Sequence, residues 1–471
     1  MMSPDSDPDP GLDRSTRAGE SGIAAHPGDR LPRVLTLGDA SMLIVASVIG
    51  SGIFFTPAQV AALLPNAGLI LLAWFVGGAL SLAGAFTNAE LGAMFPRAGG
   101  DYVYLREGLH PLAGFLAGWL SFFAIYAGTI AALAVVFAES LAVPFSLSRP
   151  GVIGVASCMI LVCSLINLRG TRVAAGVNNL TSLAKIAALL AFVCVGPLFG
   201  VGSFAPWQDV DAARAVLSPD AGGPWLRFGQ ALSPILFSYL GWNASVYVAS
   251  EIKNPERNVP RSLFLGLALC AALYLLINAV YLYALSPAEM VSSVDTGEAA
   301  AGALFGSLGG RLVSIFVLVS VVGTLNATVL VGPRIVYAMA LDGQFADRAG
   351  RVHSGFQTPA VAIGVQAVVS IGLVVFLETF PKALDFTVFG IVLATSADTV
   401  VLFVLRRRQP ARARPYRAWG YPWVPAIYLA VNLAIGAAIA IGSPREAMTT
   451  GILLVVGWLL YLGFARRPAE L

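Results

Sequence analysis

The stretch Val48-Ile49-Gly50-Ser51-Gly52-Ile53-Phe54-Phe55-Thr56-Pro57 sits inside a long apolar run and interrupts it with glycine and hydroxyl side chains. A second interruption, Ser233-Pro234-Ile235-Leu236-Phe237-Ser238-Tyr239-Leu240-Gly241-Trp242-Asn243, falls in another such run. Glycine costs a helix about 1 kcal/mol relative to alanine and frees the backbone to unwind. At membrane depth, irregular backbone is tolerated only where it lines a cavity or is buried in protein. Both stretches therefore read as helices that break in mid-span.

The surrounding sequence supplies the membrane. Of the 471 residues, 57 % are hydrophobic and 12 % charged, about half the ~25 % charge of a soluble domain. No water-soluble fold hides that much apolar surface, which excludes a soluble enzyme, a disordered chain and a nucleic-acid binder. A formal net charge of +3 implies no polyanionic partner. A hydrocarbon core of ~30 Å needs roughly 20 apolar residues per helix. Runs of that kind lie near 38–58, 68–94, 111–142, 151–168, 177–200, 228–250, 262–285, 311–341, 359–379, 384–405, 423–442 and 448–465. Their length predicts an all-α polytopic membrane protein with 12 transmembrane helices and excludes a barrel of short alternating strands.

With an even number of spans and a cytoplasmic N-terminus, inner segments hold 22 of the 29 Lys and Arg residues, outer segments hold 6, and Lys185 lies within a helix. The bias predicts a multi-pass inner or plasma membrane protein with both termini cytoplasmic. Residues 1–33 are rich in Pro, Gly, Asp and Arg without a signal-peptide core and read as a disordered cytoplasmic tail. Cys158, Cys163, Cys194 and Cys270 lie in apolar runs, and His26, His110 and His353 are scattered. No disulfide framework, metal site or cofactor is expected.

The breaks fall in the first and sixth spans, the first members of two five-helix blocks. Interrupted spans at matching places in two halves point to a transporter site on an inverted repeat. An odd number of helices per block turns the second copy upside down. Gly77, Gly78 and Gly84 in the second span read instead as close helix packing. A half-helix starting after Gly52 aims free N–H groups and a positive dipole end at the cavity, suiting a carboxylate, with the Ser51 hydroxyl as a further donor. A half-helix ending near Phe237–Leu240 aims carbonyls inward, suiting an ammonium. Neither break contains Asp, Glu, Lys or Arg, so the pocket reads as one for an α-amino acid with an uncharged side chain.

These residues resemble the amino acid–polyamine–organocation superfamily of transporters, and within it the L-type amino acid transporters and related bacterial permeases. The resemblance is carried by Gly50-Ser51-Gly52-Ile53-Phe54-x-Thr56-Pro57, by Phe237-Ser238-Tyr239-x-Gly241-Trp242-Asn243 and by Glu251-x-Lys253-Asn254-Pro255-x-Arg257-x-x-Pro260-Arg261. It extends to Glu90-Leu91, to Pro96-Arg97-Ala98-Gly99-Gly100-Asp101-Tyr102-Val103-Tyr104 and to Arg334-x-x-Tyr337-Ala338-Met339-Ala340-x-Asp342-Gly343. Leu405-Arg406-Arg407-Arg408, Pro415-Tyr416-Arg417 and Gly420-Tyr421-Pro422 also fit. The resemblance implies a LeuT-like fold of two inverted five-helix repeats, 34–205 and 206–405, followed by a basic inner loop and two C-terminal helices in 406–471, working by alternating access. It implies a substrate carboxylate on the backbone of Gly50, Ser51 and Gly52. The ammonium would meet carbonyls of Val48 or Ile49 and of Phe237, Ser238 and Leu240, with Phe237 as an aromatic gate; Gly241 and Asn243 complete the set. Leu240 departs from the small or polar residue frequent in relatives. The outer loop near 142–150 has no Cys, so the disulfide-linked heavy chain of the animal members is not expected.

Lys185 lies about seven positions into the fifth predicted span, where a lysine either snorkels to the interface or serves a function within the membrane. It matches a helix 5 lysine typical of sodium-independent members, which tethers helices 1 and 8 in exchangers or titrates in proton-coupled carriers. Glu90 and the 96–104 loop read as packing at the inner end of the second span, and Glu139 as interfacial. Asp398 falls within reach of the arginines that follow it, with a proton relay as its second reading. Arg406 to Arg417 read as topology determinants. Trp119, Trp225, Tyr281, Tyr283 and Trp423 read as interfacial belt residues.

The expectation is a permease without catalytic chemistry for neutral L-amino acids, by sodium-independent exchange or proton symport. The alternative is a cationic amino acid or polyamine permease of the same fold, which would need an acidic pocket residue. An integral-membrane enzyme would need intramembrane nucleophile or ligand clusters, a channel a filter loop, and a receptor an added domain; none of these patterns is present.

Overall fold

The computed structural model describes residues 26–64, 66–204, 224–376, 380–442 and 444–464. Its elements are helices throughout: α1 (Leu37–Val48), α2 (Gly52–Leu63), α3 (Ala67–Met94), α4 (Asp101–Gly108), α5 (Pro111–Leu120), a π-helical turn Ser121–Tyr126 and α6 (Ala127–Phe145). Then follow α7 (Arg149–Leu168), α8 (Thr171–Phe199), α9 (Pro224–Ser238), α10 (Pro255–Ala284), α11 (Pro287–Ser292), α12 (Thr296–Val331) and α13 (Pro333–Leu341). The last four are α14 (Ala360–Phe376), α15 (Phe380–Arg408), α16 (Trp423–Gly442) and α17 (Pro444–Phe464). Among the described residues, 8 helical stretches are long and apolar enough to cross a membrane, and the bent pair α1–α2 makes a ninth.

Helix starts are set by caps lying outside the apolar windows. Thr36 and Asp39 form a capping box at α1, Asn66 caps α3, and Ser286 and Glu289 form a second box at α11; each satisfies N–H groups that no helix bonds internally. Several spans begin earlier than hydropathy indicated. The fifth starts at Thr171 rather than 177, and the eighth at Thr296 rather than 311. The latter is diluted by Gly and Ser, and it bends where Gly306 adopts φ 75°.

Small residues let the helices approach. A Cβ on Gly78 would stand 2.9 Å from the Tyr239 hydroxyl, and one on Gly84 would stand 2.7 Å from the Tyr428 ring. The glycines of α3 thus seat α9 and α16, the packing role the sequence indicated. Two residues read as belt aromatics are interior instead: Trp119 is 9 % exposed and donates to Leu453 O at 3.0 Å, and Tyr281 is 1 % exposed. Trp225 and Trp423 are exposed at 87 % and 75 %.

One end of the bundle gathers residues 26–35, 95–110, 247–258, 334–358 and 406–422, and is here termed the basic end. Residues 26–33, assigned by composition to an unstructured tail, pack there. The Tyr337 hydroxyl donates to Asp29 at 2.9 Å, Arg30 N donates to the Tyr337 oxygen at 3.1 Å, and His26 lies 3.3 Å from Asp342. Residues 1–25 of the expected tail lie outside the described residues. Two isolated bridges, Leu35 with Ile252 and Ala98 with Val248, stitch the same end.

Candidate functional site

The first break is a bend of 47° between α1 and α2. Helix α1 ends because Ile49 leaves helical geometry at ψ 82°, and Gly50 N closes a tight turn onto Val48 O at 2.8 Å. Helix α2 restarts at Gly52, where the Phe54 and Phe55 N–H groups fold back onto Ser51 O at 3.1 and 3.3 Å. The N–H groups of Ser51, Gly52 and Ile53 make no backbone bond among the described residues. A helix N-terminus carries such donors with a positive dipole end. Ser51 and Gly52 are buried, so this anion-seeking corner lies inside the protein.

The second break follows Ser238, the last residue of α9. Gly241 takes φ +89°, a region costly for any residue with a Cβ; a Cβ there would also stand 2.6 Å from the Ser47 Cβ. The chain resumes helically at Ala244–Tyr247, with Asn243 before it. The two breaks meet. The Thr56 and Ser238 hydroxyl oxygens are 2.8 Å apart, and a Cβ on Gly52 would stand 2.8 Å from Ser238 Cα. The Tyr274 hydroxyl of α10 lies 2.8 Å from Val48 O and 3.1 Å from Ser238 O, bridging the carbonyl ends of both broken helices.

Leu240, Gly241 and Asn243 line a cavity of about 60 Å³ with Ser47, Tyr126 and Thr395. Phe237 turns elsewhere, packing with Leu240 against Val388, Val392 and Ile435 of α15 and α16.

Lys185 is fully buried, the fifteenth residue of α8 rather than about seven positions into its span, so its amine does not snorkel. Nζ donates to Ala46 O at 3.0 Å, Ile49 O at 2.6 Å and Thr324 Oγ1 at 2.9 Å. An ammonium has three protons, and each finds an acceptor. The Ile49 carbonyl is occupied further by the Ser320 hydroxyl at 3.1 Å. Of the carbonyls expected to receive a substrate ammonium, Ile49 is thus taken by Lys185. Those of Val48 and Ser238 share the single Tyr274 proton.

Residues 35–464 match the family model described as amino acid permease. The chain belongs to the amino acid permease family. The permease is 32 % identical over 444 residues to the serine/threonine exchanger SteT of Bacillus subtilis, covering 92 % of this chain and 96 % of that protein. It is 28 % identical over 424 residues to the large neutral amino acids transporter small subunit 2 of Rattus norvegicus, covering 87 % and 76 %. Over 412 residues it is 28 % identical to the Asc-type amino acid transporter 1 of Mus musculus, covering 85 % and 75 %. The family and these relatives are amino acid transporters, not enzymes.

The permease closes its basic end with groups the sequence presented only as motif letters. Arg334 and Glu251, both 0 % exposed, pair with Nε 2.8 Å from Oε1, and Thr171 joins them as donor to Glu251 and acceptor from Arg334. Leu35 N donates to Glu251 O at 2.9 Å and Lys253 N to Leu35 O at 2.8 Å. Glu90, buried, receives Arg406 through both oxygens at 2.8 and 2.6 Å, Ala418 N at 2.7 Å, and lies 3.2 Å from Arg414 Nε. Two of the arginines read as topology determinants thus belong to a buried ion network. Asp398 does not reach them; it accepts from Asn88 Nδ2 at 3.1 Å. Tyr274, Ser320 and Thr324 escaped the sequence reading, although hydroxyls inside apolar spans were the available signal.

Proposed function

We propose that this permease exchanges neutral L-amino acids across the cell membrane by alternating access, without sodium. The observation that carries the reading is the meeting of the two breaks, with unbonded N–H groups at Ser51–Ile53 and carbonyls at Val48 and Ser238. Together they offer an anion site and a cation site without any ionised side chain, which suits a zwitterion. The substrate carboxylate would lie on Gly50, Ser51 and Gly52, and its ammonium on Val48, Phe237, Ser238 and Leu240, beside Gly241 and Asn243.

Lys185 favours exchange over proton symport. All three protons of its ammonium are committed to α1 and α12, so the amine serves as a fixed internal cation. The fold we propose has twelve spans, adding α9 with its continuation, α14 and α17 to the nine above, in inverted repeats 34–205 and 206–405 followed by 406–471. The basic end would face the cytoplasm with both termini, and no disulfide-linked heavy chain is needed. The relative named as a serine/threonine exchanger makes serine and threonine the first substrates to try.

The test is uptake of labelled L-serine into proteoliposomes, with and without internal amino acid and with and without an inward proton gradient. Uptake that requires internal substrate is expected. Uptake driven by the proton gradient alone would replace exchange by symport. Absence of uptake of any neutral amino acid would overturn the substrate class and favour a cationic one.

A further inference from the structure

Two carboxyls meet in the interior near the basic end. Asp101 opens α4 and Asp398 lies in α15, 1 % and 0 % exposed. Asp101 Oδ2 accepts the Tyr247 hydroxyl at 2.5 Å and the Ser121 hydroxyl at 3.4 Å, and Asp398 Oδ2 accepts the Asn88 amide. The other oxygen of each, Oδ1, is buried with no hydrogen-bond partner, and the two carboxyls lie beside each other. Carboxylates only accept, so the two can satisfy one another only if one of them carries a proton. Two negative charges at that separation in a dry interior would also repel by several kcal/mol. Among the described residues no Lys or Arg forms an ion pair with either; Arg406 and Arg414 go to Glu90, Arg106 to Asp342 and Arg334 to Glu251.

We propose that Asp101 and Asp398 form a proton-binding site, one proton held between them, that latches the basic end shut. The groups facing it are Asn88 of α3, Tyr104 of α4, Ser121 and Tyr126 of the π turn, Tyr247 after the second break and Tyr428 of α16. All are uncharged, so the shared proton alone reduces the charge of the pair, from two to one. Bound, it ties α4 to α15, while Tyr247 ties α4 to the segment following Gly241. Gly99 N doubles that tie by donating to Tyr247 O at 3.1 Å. Asp101 also lines the cavity of about 60 Å³ at the second break, which is roomy enough for water at about 10–15 Å³ per site. Loss of the proton leaves two like charges on one contact and drives α4 from α15. The proton enters and leaves on the basic side and does not cross the membrane. This site borders the second break, sharing that cavity with Leu240, Gly241 and Asn243, and is independent of which amino acid is carried.

The test combines infrared spectroscopy and flux on the full-length protein in lipid. Wild type is expected to show the carbonyl stretch of a protonated carboxylic acid at neutral pH, lost as pH is raised, and Asp398→Asn and Asp101→Asn are each expected to lack it. Serine exchange by wild type is expected to change with pH on the basic side alone, and Asp398→Asn, which keeps a donor in place of the acid, to lose that dependence. A band that survives in both variants, or is missing from wild type, overturns the proposal. So does a thermal shift with sodium or calcium chloride that Asp398→Asn abolishes, because the pair would then bind a metal cation. If no amino acid is exchanged, the substrate reading fails while the infrared band still decides this one.

Discussion

The two ends of the bundle are closed by different means. At the basic end, buried ion pairs and backbone bridges join segments far apart in the chain: Glu251 with Arg334, Glu90 with Arg406, and Leu35 with Ile252. At the opposite end, α11 packs across α2, and a cavity of about 670 Å³ opens among Phe55, Glu139, Asp295, Glu298 and Val317. Buried ion pairs are all-or-none, because removing one partner strands the other charge, whereas apolar and capped contacts loosen by degrees. The contrast is between an end held by buried ion pairs and an end held by capped and apolar contacts around a cavity.

Five substitutions grade that contrast. The largest loss is expected from Arg334→Ala, which strands Glu251 and should cost about 3–5 kcal/mol, read as a fall in the thermal midpoint of the purified permease. If the midpoint barely moves, the latch is not where the stability lies. Next, Lys185→Ala removes three donors from α1 and α12, and serine exchange should fall by about 10-fold or more, since each bond from a charged group is worth about 1.5–3 kcal/mol; restoration by arginine would argue against a compact ammonium site. Gly52→Ala sets a methyl against Ser238 in mid-span, an overpacking of about 1–3 kcal/mol, and exchange should drop more than stability does. At the accessible end, Ser286→Ala breaks the α11 capping box for about 1 kcal/mol, with flux expected to stay within about twofold; a larger loss would make α11 part of the gate. The smallest effect concerns Asp295, the cap of α12, whose carboxyl is pushed up from 3.8 to about 6 by burial, with backbone bonds from Glu298 and Gly297 opposing. The native state holds that proton more tightly than the unfolded chain, so its contribution to stability declines as pH rises from 3.8 to about 6 and is level above. Asp295→Asn should remove this slope from the difference between variant and wild-type melting curves.

The broken helices were legible because glycine and hydroxyls inside an apolar run are anomalies visible without any neighbour. Their meeting was not legible from residues alone, since Gly52 and Ser238 are distant in sequence. Lys185 announced itself as a lone cation in a span, yet its depth was misjudged because the polar turn Thr171–Val177 carries little hydropathy although it is helical. Asp398 with Asp101, and Glu90 with Arg406, were invisible as pairs for the reason that applies to most tertiary contacts here. Helices of similar composition leave the pattern of apolar residues silent about which faces which.

The three bonds from the Lys185 ammonium also bear on how the membrane potential acts. A mobile coupling ion that enters with substrate makes each turnover carry charge, and 100 mV then biases the cycle by about 2.3 kcal/mol for each elementary charge. A cation that is part of the polypeptide and tied to Ala46, Ile49 and Thr324 never leaves with the cargo. Swapping one zwitterion for another around it displaces no net charge. Under the proposed exchange, flux would be governed by the amino acid pools on the two sides and would be indifferent to voltage.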